Sequence, residues 1–188
     1  MLPTALPGAR IVQFGAKTAW FGAGSVHADT TTIGTILLDA IRRDRKAHGS
    51  SGRPLMFIAH CFGGLAVMQA LVTAANNEDD RHIYESLAGI VFMGTPFRGA
   101  EQGRQAQMIS EARERYIDVD PTILRITQPN DEMLSHVVTQ FMDKRAKSHN
   151  PAPIVCFYEM EPCDVMAVVN GKVEEKVGLT YVRHQRHD

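Results

Sequence analysis

The chain has 188 residues, and since domains average about 150 residues, its length predicts one domain. Hydrophobic residues make up 44% of the sequence and charged residues 22%, values typical of a folded globular protein and not of a disordered one. The formal net charge of −1 lacks the basic excess of nucleic-acid-binding domains. Composition therefore predicts a single domain over residues 1–188 with no nucleic-acid partner.

Cysteine usage and the N-terminal sequence predict an intracellular, cytoplasmic protein. The cysteines, Cys61, Cys156 and Cys163, are odd in number, and their spacing fits neither a zinc knuckle nor a redox pair. Residues 1–4 lack the basic region that opens a signal peptide. The longest apolar run, near residues 87–93, is far shorter than the ~20 residues that span a bilayer, so we expect no transmembrane segment.

The first elements in chain order are a strand, a loop and a helix. Residues 9–14 have the composition of a short strand, and the glycine-rich loop at 21–25 lacks phosphate-loop spacing. Asp29 or Thr30 then caps a helix. One stripe of that helix is formed by apolar residues at helical spacing: Ile33, Ile36, Leu37, Ala40 and Ile41. The basic end of the helix, residues 42–46, suits the helix dipole and is interpreted as a solvated face.

Two continuous apolar runs, residues 55–59 and 88–93, are typical of strands buried on both faces of a parallel sheet. Between them, residues 65–75 have the pattern of a strongly apolar helix. Because parallel strands need a crossover connection, this strand–helix–strand order predicts a layered α/β fold.

The second half of the chain continues the alternation. A charged helix is expected over residues 101–116, and another begins near Asn130 or Asp131. The stripe of the second helix is formed by Leu134, Val137, Val138 and Phe141. Residues 154–158 and 165–169 predict two more strands, which completes an α/β fold with a mostly parallel sheet.

The clearest chemical signal lies between residues 56 and 65, where a strand leads into a sharp turn and then a helix. This layout is typical of a nucleophile elbow. Because the nucleophile of an elbow is strained, the positions two before and two after it must be small, and Ala59 and Gly63 meet that requirement. Cys61 is then the candidate nucleophile, since a thiolate forms more readily at a helix N-terminus. The N–H of Phe62 is the candidate oxyanion donor.

His60 and Gly64 complete the elbow, and we expect the His60 side chain to pack into it. The alternative interpretation is that Cys61 is a small buried residue that fills a turn.

Two segments carry a family resemblance: R-P-L-M-F-I-A-H-C-F-G-G-L at residues 53–65 and G-I-V-F-M-G-T-P-F-R-G at residues 89–99. They resemble the serine esterases of the α/β-hydrolase superfamily, in particular the lipase-like "serine active site containing" proteins. In those proteins the motifs read R-P-I-I-F-I-G-H-S-L-G-G and G-I-I-F-L-G-T-P-H-R-G. Similar domains precede NACHT or repeat domains in large fungal receptor-like proteins. The resemblance implies a three-layer α/β-hydrolase-like core.

The chain departs from the family pattern at several positions. Ala59 replaces Gly, Cys61 replaces the nucleophilic Ser, and Phe97 replaces a common His. Cysteine nucleophiles occur on this fold in dienelactone hydrolases. The family's earlier strand, whose His-Gly turn supplies a second oxyanion donor, has no counterpart in the sequence, so we expect a hydrolase core that is shortened at both ends, a fragment or truncated form.

The resemblance also implies where the acid and the base lie, because the triad order on this fold is nucleophile, acid and His. Glu159 follows a predicted strand and matches a family F-Y-E pattern, with Glu161 and Asp164 as alternatives. The base would be His184 or His187, and the sequence leaves that choice open.

The other histidines are interpreted as solvated: His27, His48, His82, His136 and His149. No pair of them has the spacing of a metal site, so we expect neither a metal nor another cofactor.

Together these features predict a hydrolase of carboxylic esters, lipid esters or thioesters that uses Cys61. The resemblance adds a small-molecule ester or lipid substrate, possible fused or partner domains, and an association with mitochondria or the endoplasmic reticulum. The alternative is a catalytically inactive hydrolase-like binding or signalling module of a larger receptor-like protein. A nucleotide-binding domain is disfavoured because the sequence lacks both phosphate-loop and G-x-G-x-x-G patterns.

Overall fold

A computed structural model describes residues 8–15, 30–98, 132–159 and 179–182. Within these ranges helices and strands alternate in the order α1 (Thr30–Ala47), β1 (Leu55–His60), α2 (Phe62–Asn76), α3 (Arg81–Glu85), β2 (Leu87–Met93), α4 (Glu132–Ala146), β3 (Ile154–Glu159) and β4 (Leu179–Val182).

The strands form one sheet in the order β1-β2-β3-β4. β1, β2 and β3 are parallel, which confirms the predicted α/β class, whereas β4 pairs with β3 in the antiparallel direction. The register aligns His60 with Met93 and Met93 with Phe157, so the carboxyl ends of the parallel strands meet at one edge of the sheet.

The described helices lie on one face of this sheet. α2 is the central helix, since it packs against both α1 and α4. Its apolar side chains join those of the strands in a single core that includes Leu65, Leu71, Ala59, Ile90 and Phe92. The crossovers β1-to-β2 and β2-to-β3 advance in the same direction, and crossovers of the same hand then place their helices on the same side.

The opposite face of β1 is open, so the prediction that this strand is buried on both faces is wrong. Met56 and Ile58 are 56% and 54% exposed, whereas Ala59 is buried. Side chains alternate along a strand, and only the face toward α2 is covered by the described helices. Continuous hydrophobicity indicated a strand correctly but did not reveal which face is covered.

Helix α1 confirms the predicted helix, with its buried stripe rotated from the expected position. Ile36 is 44% exposed, and the neighbouring Leu38 is buried instead. The rotation turns Gly34 toward α2, where a Cβ would lie 2.8 Å from Cγ of Gln69. The missing side chain therefore allows the two helices to approach each other closely.

The predictions for the basic end of α1 and for the chain before it are wrong in part. Arg43 and Lys46 are exposed as predicted, but Arg45 is only 6% exposed and Arg42 is half-buried, so these two do not belong to a solvated face. Residues 8–15 form neither helix nor strand. They are anchored by the Arg10 side chain, which donates hydrogen bonds to Asp44 and Ser50.

In the second half, α4 confirms the helix expected near residue 130 and buries Leu134, Val137 and Phe141. β3 confirms the strand expected at residues 154–158. The segments 101–116 and 165–169, for which a helix and a strand were predicted, lie outside the described residues.

Candidate active site

The turn between β1 and α2 has a strained backbone at Cys61. Cys61 adopts φ 49° and ψ −128° and is the one non-glycine residue with positive φ in the described part of the chain. Such a conformation costs a side-chain-bearing residue about 1–3 kcal/mol and persists only where the surrounding structure imposes it. Strand, turn and helix therefore present the Cys61 thiol at the sheet edge where the parallel strands end.

Backbone hydrogen bonds hold Cys61 from both sides. Its N–H donates to the carbonyl oxygen of Met93 over 2.8 Å, and its own carbonyl oxygen accepts a bond from the N–H of Gly64 over 3.0 Å. The first bond ties the turn to β2, and the second closes the first turn of α2. The end of the neighbouring strand is thus part of the elbow.

The glycine that packs closely in the elbow is Gly64. A Cβ at Gly64 would lie 2.2 Å from Oγ1 of Thr95 and 2.9 Å from Cδ1 of Phe92. At Gly63 it would meet no heavy atom of the described neighbours within 4 Å. The expectation that packing demands a small residue at position 63 therefore finds no support in these contacts, whereas Ala59 is buried as expected.

The loop after β2 lies against the elbow. Gly94 has φ 59°, and its N–H donates to the carbonyl oxygen of Phe157 over 2.8 Å, which ties the loop to β3. The Phe97 ring meets the Phe92 ring edge to face with centroids 5.1 Å apart. Phe97, which stands where the resembling family has His, therefore packs against the core.

Thr95 is the residue of this loop that touches the elbow, and sequence reasoning assigned it no role. Among the described residues its Oγ1 is the one buried side-chain nitrogen or oxygen without a hydrogen-bond partner. The signal for it was present, because Thr95 lies within the motif at residues 89–99. Only the fold shows that this motif meets Gly64.

The two residues that flank Cys61 differ in their surroundings. Phe62 opens α2 with its ring buried in the core, and its N–H lies at the helix N-terminus, where the dipole favours an anion. His60 is exposed, so the prediction that it packs into the elbow is wrong. It shares the open face of β1 with Met56 and Ile58, because side chains two residues apart point the same way.

The sheet brings the backbone of the candidate acid to the edge that carries Cys61. Glu159 ends β3, and β3 is separated from β1 by β2 alone. Two strand spacings correspond to about 10 Å between the strand ends. The candidate bases His184 and His187 lie outside the described residues, as do Glu161 and Asp164.

A cavity of about 600 Å³ lies at the opposite edge of the sheet, where the chain enters β1 and β2. Two arginines that line it are paired with other groups of the protein. Arg42 contacts the buried Asp80 carboxylate through Nε and Nη2, and Arg45 donates to the carbonyl oxygens of Ser50 and Arg53. These contacts stabilise the end of α1, and sequence reasoning missed them.

The described part of the chain holds histidines other than the two predicted bases. Four histidines predicted to be solvated are exposed: His48, His82, His136 and His149. In the described ranges no cluster of three or more His, Cys, Asp or Glu side chains could bind a metal ion. No helix in those ranges combines the length and apolar character of a membrane span.

No protein-family model, curated protein or solved structure matches the chain.

Proposed function

We propose that the chain is an α/β-hydrolase-type enzyme that cleaves carboxylic esters or thioesters with Cys61 as its nucleophile. The observation that carries this proposal is the strained backbone of Cys61, φ 49°, at a junction between a parallel strand and a 15-residue helix. Strain of this kind is concentrated at functional sites. The elbow presents the thiol next to backbone N–H groups of a helix N-terminus, and that pairing suits acyl transfer.

The proposed reaction has two steps. The imidazole of His184 or His187 takes the Cys61 proton, and the thiolate attacks the carbonyl carbon of the ester. The C–O bond breaks, the alcohol leaves with the proton from the imidazole, and the acyl group remains on sulfur as a thioester. Water, deprotonated by the same imidazole, then attacks the thioester, releases the carboxylic acid and returns the thiol.

Two further residues have roles in this scheme. The Phe62 N–H stabilises the oxyanion, because it lies at the positive end of α2. Glu159 orients the imidazole. The spacing of about 10 Å between the ends of β1 and β3 leaves room for a ring between nucleophile and acid. A lipid ester is the finer form of the proposal, and it rests on the family resemblance of the two motifs.

The experiment is hydrolysis of p-nitrophenyl acetate and butyrate by the full chain, by Cys61→Ala and by Cys61→Ser. Cys156→Ala is the matched control, because that thiol lies in β3 away from the elbow. We expect turnover that is lost in Cys61→Ala and retained in Cys156→Ala. Intact mass should show one acyl group attached at Cys61 during turnover. Hydrolysis that survives in Cys61→Ala, or no hydrolysis together with a Cys61 inert to iodoacetamide, would overturn the proposal.

The second candidate is a hydrolase-like binding module without catalysis. It is favoured by the apolar open face of β1, where Met56 and Ile58 are exposed. Exposed apolar surface often marks an interaction site. An inert Cys61 combined with a folded chain would support this candidate over the enzyme.

A further inference from the structure

Four residues form a closed circuit of contacts around the strained turn. Met93 accepts the hydrogen bond from the Cys61 N–H, and the Cys61 carbonyl accepts the bond from the Gly64 N–H. Thr95 then packs against Gly64. Because Met93 ends β2 and Thr95 follows it by two residues, the chain itself connects the two ends of this set of contacts.

Thr95 packs so closely against Gly64 that the first turn of α2 cannot shift toward it. A Cβ on Gly64 would lie 2.2 Å from Oγ1 and 2.5 Å from Cγ2 of Thr95, so both branches of the Thr95 side chain face the first turn of α2. The Gly94 bond to Phe157 and the ring contact between Phe97 and Phe92 hold the loop on either side. Thr95 therefore cannot move away without disturbing β3 or the core.

We propose that Thr95 is a positioning residue for Cys61: its side chain presses on Gly64 and so fixes the strained turn that presents the thiol. The side chain acts by its shape, since the buried Oγ1 has no hydrogen-bond partner among the described residues. A hydroxyl of that kind costs stability, whereas a methyl group of the same size would fill the same space. The inference rests on the proposed function only in naming Cys61 as the reacting group.

The test measures the pH profile of Cys61 alkylation by iodoacetamide, resolved by peptide mass spectrometry, in the full chain. Thr95→Val keeps the shape and removes the hydroxyl, and Thr95→Gly removes both branches. We expect Thr95→Val to keep the profile and to unfold at a higher temperature. Thr95→Gly should lower the rate near neutral pH by about tenfold and move the profile to higher pH, because a loosened turn no longer holds the thiolate at the helix N-terminus.

A second pair of variants tests the contact from the other side. Gly64→Ala should slow alkylation of Cys61, because its methyl group displaces the turn from Thr95. Combining it with Thr95→Gly should restore much of the rate, since the new methyl fills the space that Thr95 leaves. The Thr95→Val and Thr95→Gly comparison stands by itself if Gly64→Ala fails to fold.

Several results would overturn the inference. A Thr95→Gly variant with a changed unfolding temperature but an intact Cys61 profile would make Thr95 merely structural. Alkylation of Cys61 that is as slow in Thr95→Val as in Thr95→Gly would assign the effect to the hydroxyl. If Cys61 reacted no faster than Cys156 in the unsubstituted chain, Cys61 would have no enhanced reactivity for Thr95 to control. Ester turnover is measured separately, so its absence bears on the proposed enzyme and leaves the positioning role of Thr95 unaffected.

Discussion

The N–H of Cys61 donates a 2.8 Å hydrogen bond to the carbonyl oxygen of Met93, so the turn after β1 is tied to the last residue of β2. The bond continues the parallel register that pairs His60 with Met93. The geometry of the candidate nucleophile therefore depends on Met93, which lies 32 residues further along the chain. Changes after β2 should consequently reach the elbow.

Gly94 gives the first prediction. Its φ of 59° lies in the left-handed region, and its N–H donates a hydrogen bond to the carbonyl oxygen of Phe157. Gly94→Ala should reduce the free energy of unfolding by about 1–2 kcal/mol, because a Cβ is disfavoured in that region. Urea unfolding measures the change. Gly52→Ala is the matched control, since its Cβ would meet no described atom within 4 Å and its φ is not positive. Equal losses in both variants would contradict the prediction.

The second prediction concerns the Arg42–Asp80 ion pair. Asp80 is 1% exposed, and Arg42 contacts both of its carboxylate oxygens. Arg42→Gln leaves a buried carboxylate without its cation and should cost about 3 kcal/mol. Arg43→Gln, one residue along the same helix and exposed, should cost far less. Similar losses in the two variants would show that the buried pair adds nothing.

The same pair predicts how stability depends on pH. The Arg42 guanidinium, which hydrogen-bonds Asp80, holds the pKa of that carboxyl below its ordinary value. A lowered pKa in the folded state contributes stability above the unfolded pKa, and that contribution is lost as pH falls through the folded pKa. The stability difference between the unsubstituted chain and Arg42→Gln should therefore shrink from about pH 6 to about pH 3. A difference that stays constant over this range would contradict the assignment.

Arg45 gives the third prediction. Its guanidinium donates to the carbonyl oxygens of Ser50 and Arg53 and to Oγ of Ser86, and burial lowers its pKa. Lysine lacks the planar fork that reaches several acceptors at once. Arg45→Lys should therefore reduce the free energy of unfolding by about 2 kcal/mol, the loss expected for a buried charged donor. Thermal unfolding measures it, with the exposed Lys46→Arg as control; an unchanged Arg45→Lys would disprove the role of the fork.

The last prediction concerns the Cys156 thiol. Burial raises the pKa of this thiol, so less thiolate is present at neutral pH than in the unfolded chain. Iodoacetamide should modify Cys156 more slowly in the folded chain than in urea, with the rate rising only at higher pH. Because a raised pKa favours the protonated folded state, its contribution to stability is present below the unfolded pKa and is lost as pH rises through the folded pKa. Equal rates in folded and unfolded chains would contradict this.

Much of the elbow could be predicted from sequence because its signals are local. Apolar residues before Cys61, small residues around it and an apolar helix after it together indicate a strand, a turn and a helix, and the structure has them. The same holds for α4, whose buried residues recur at helical spacing. The contact of Thr95 with Gly64 could not be predicted, because it joins two segments that local patterns treat separately.

The sequence by itself determined the α/β class, the strand–turn–helix around Cys61 and most of the helix α4 stripe, since each depends on spacing along one segment. Only the tertiary structure decided that Arg45 and Asp80 are buried, that Gly64 is the closely packed glycine and that one face of β1 stays open. The physical reason is that burial depends on what a neighbouring segment covers. Here the crossover helix α2 covers one side of β1, and α4 packs against α2.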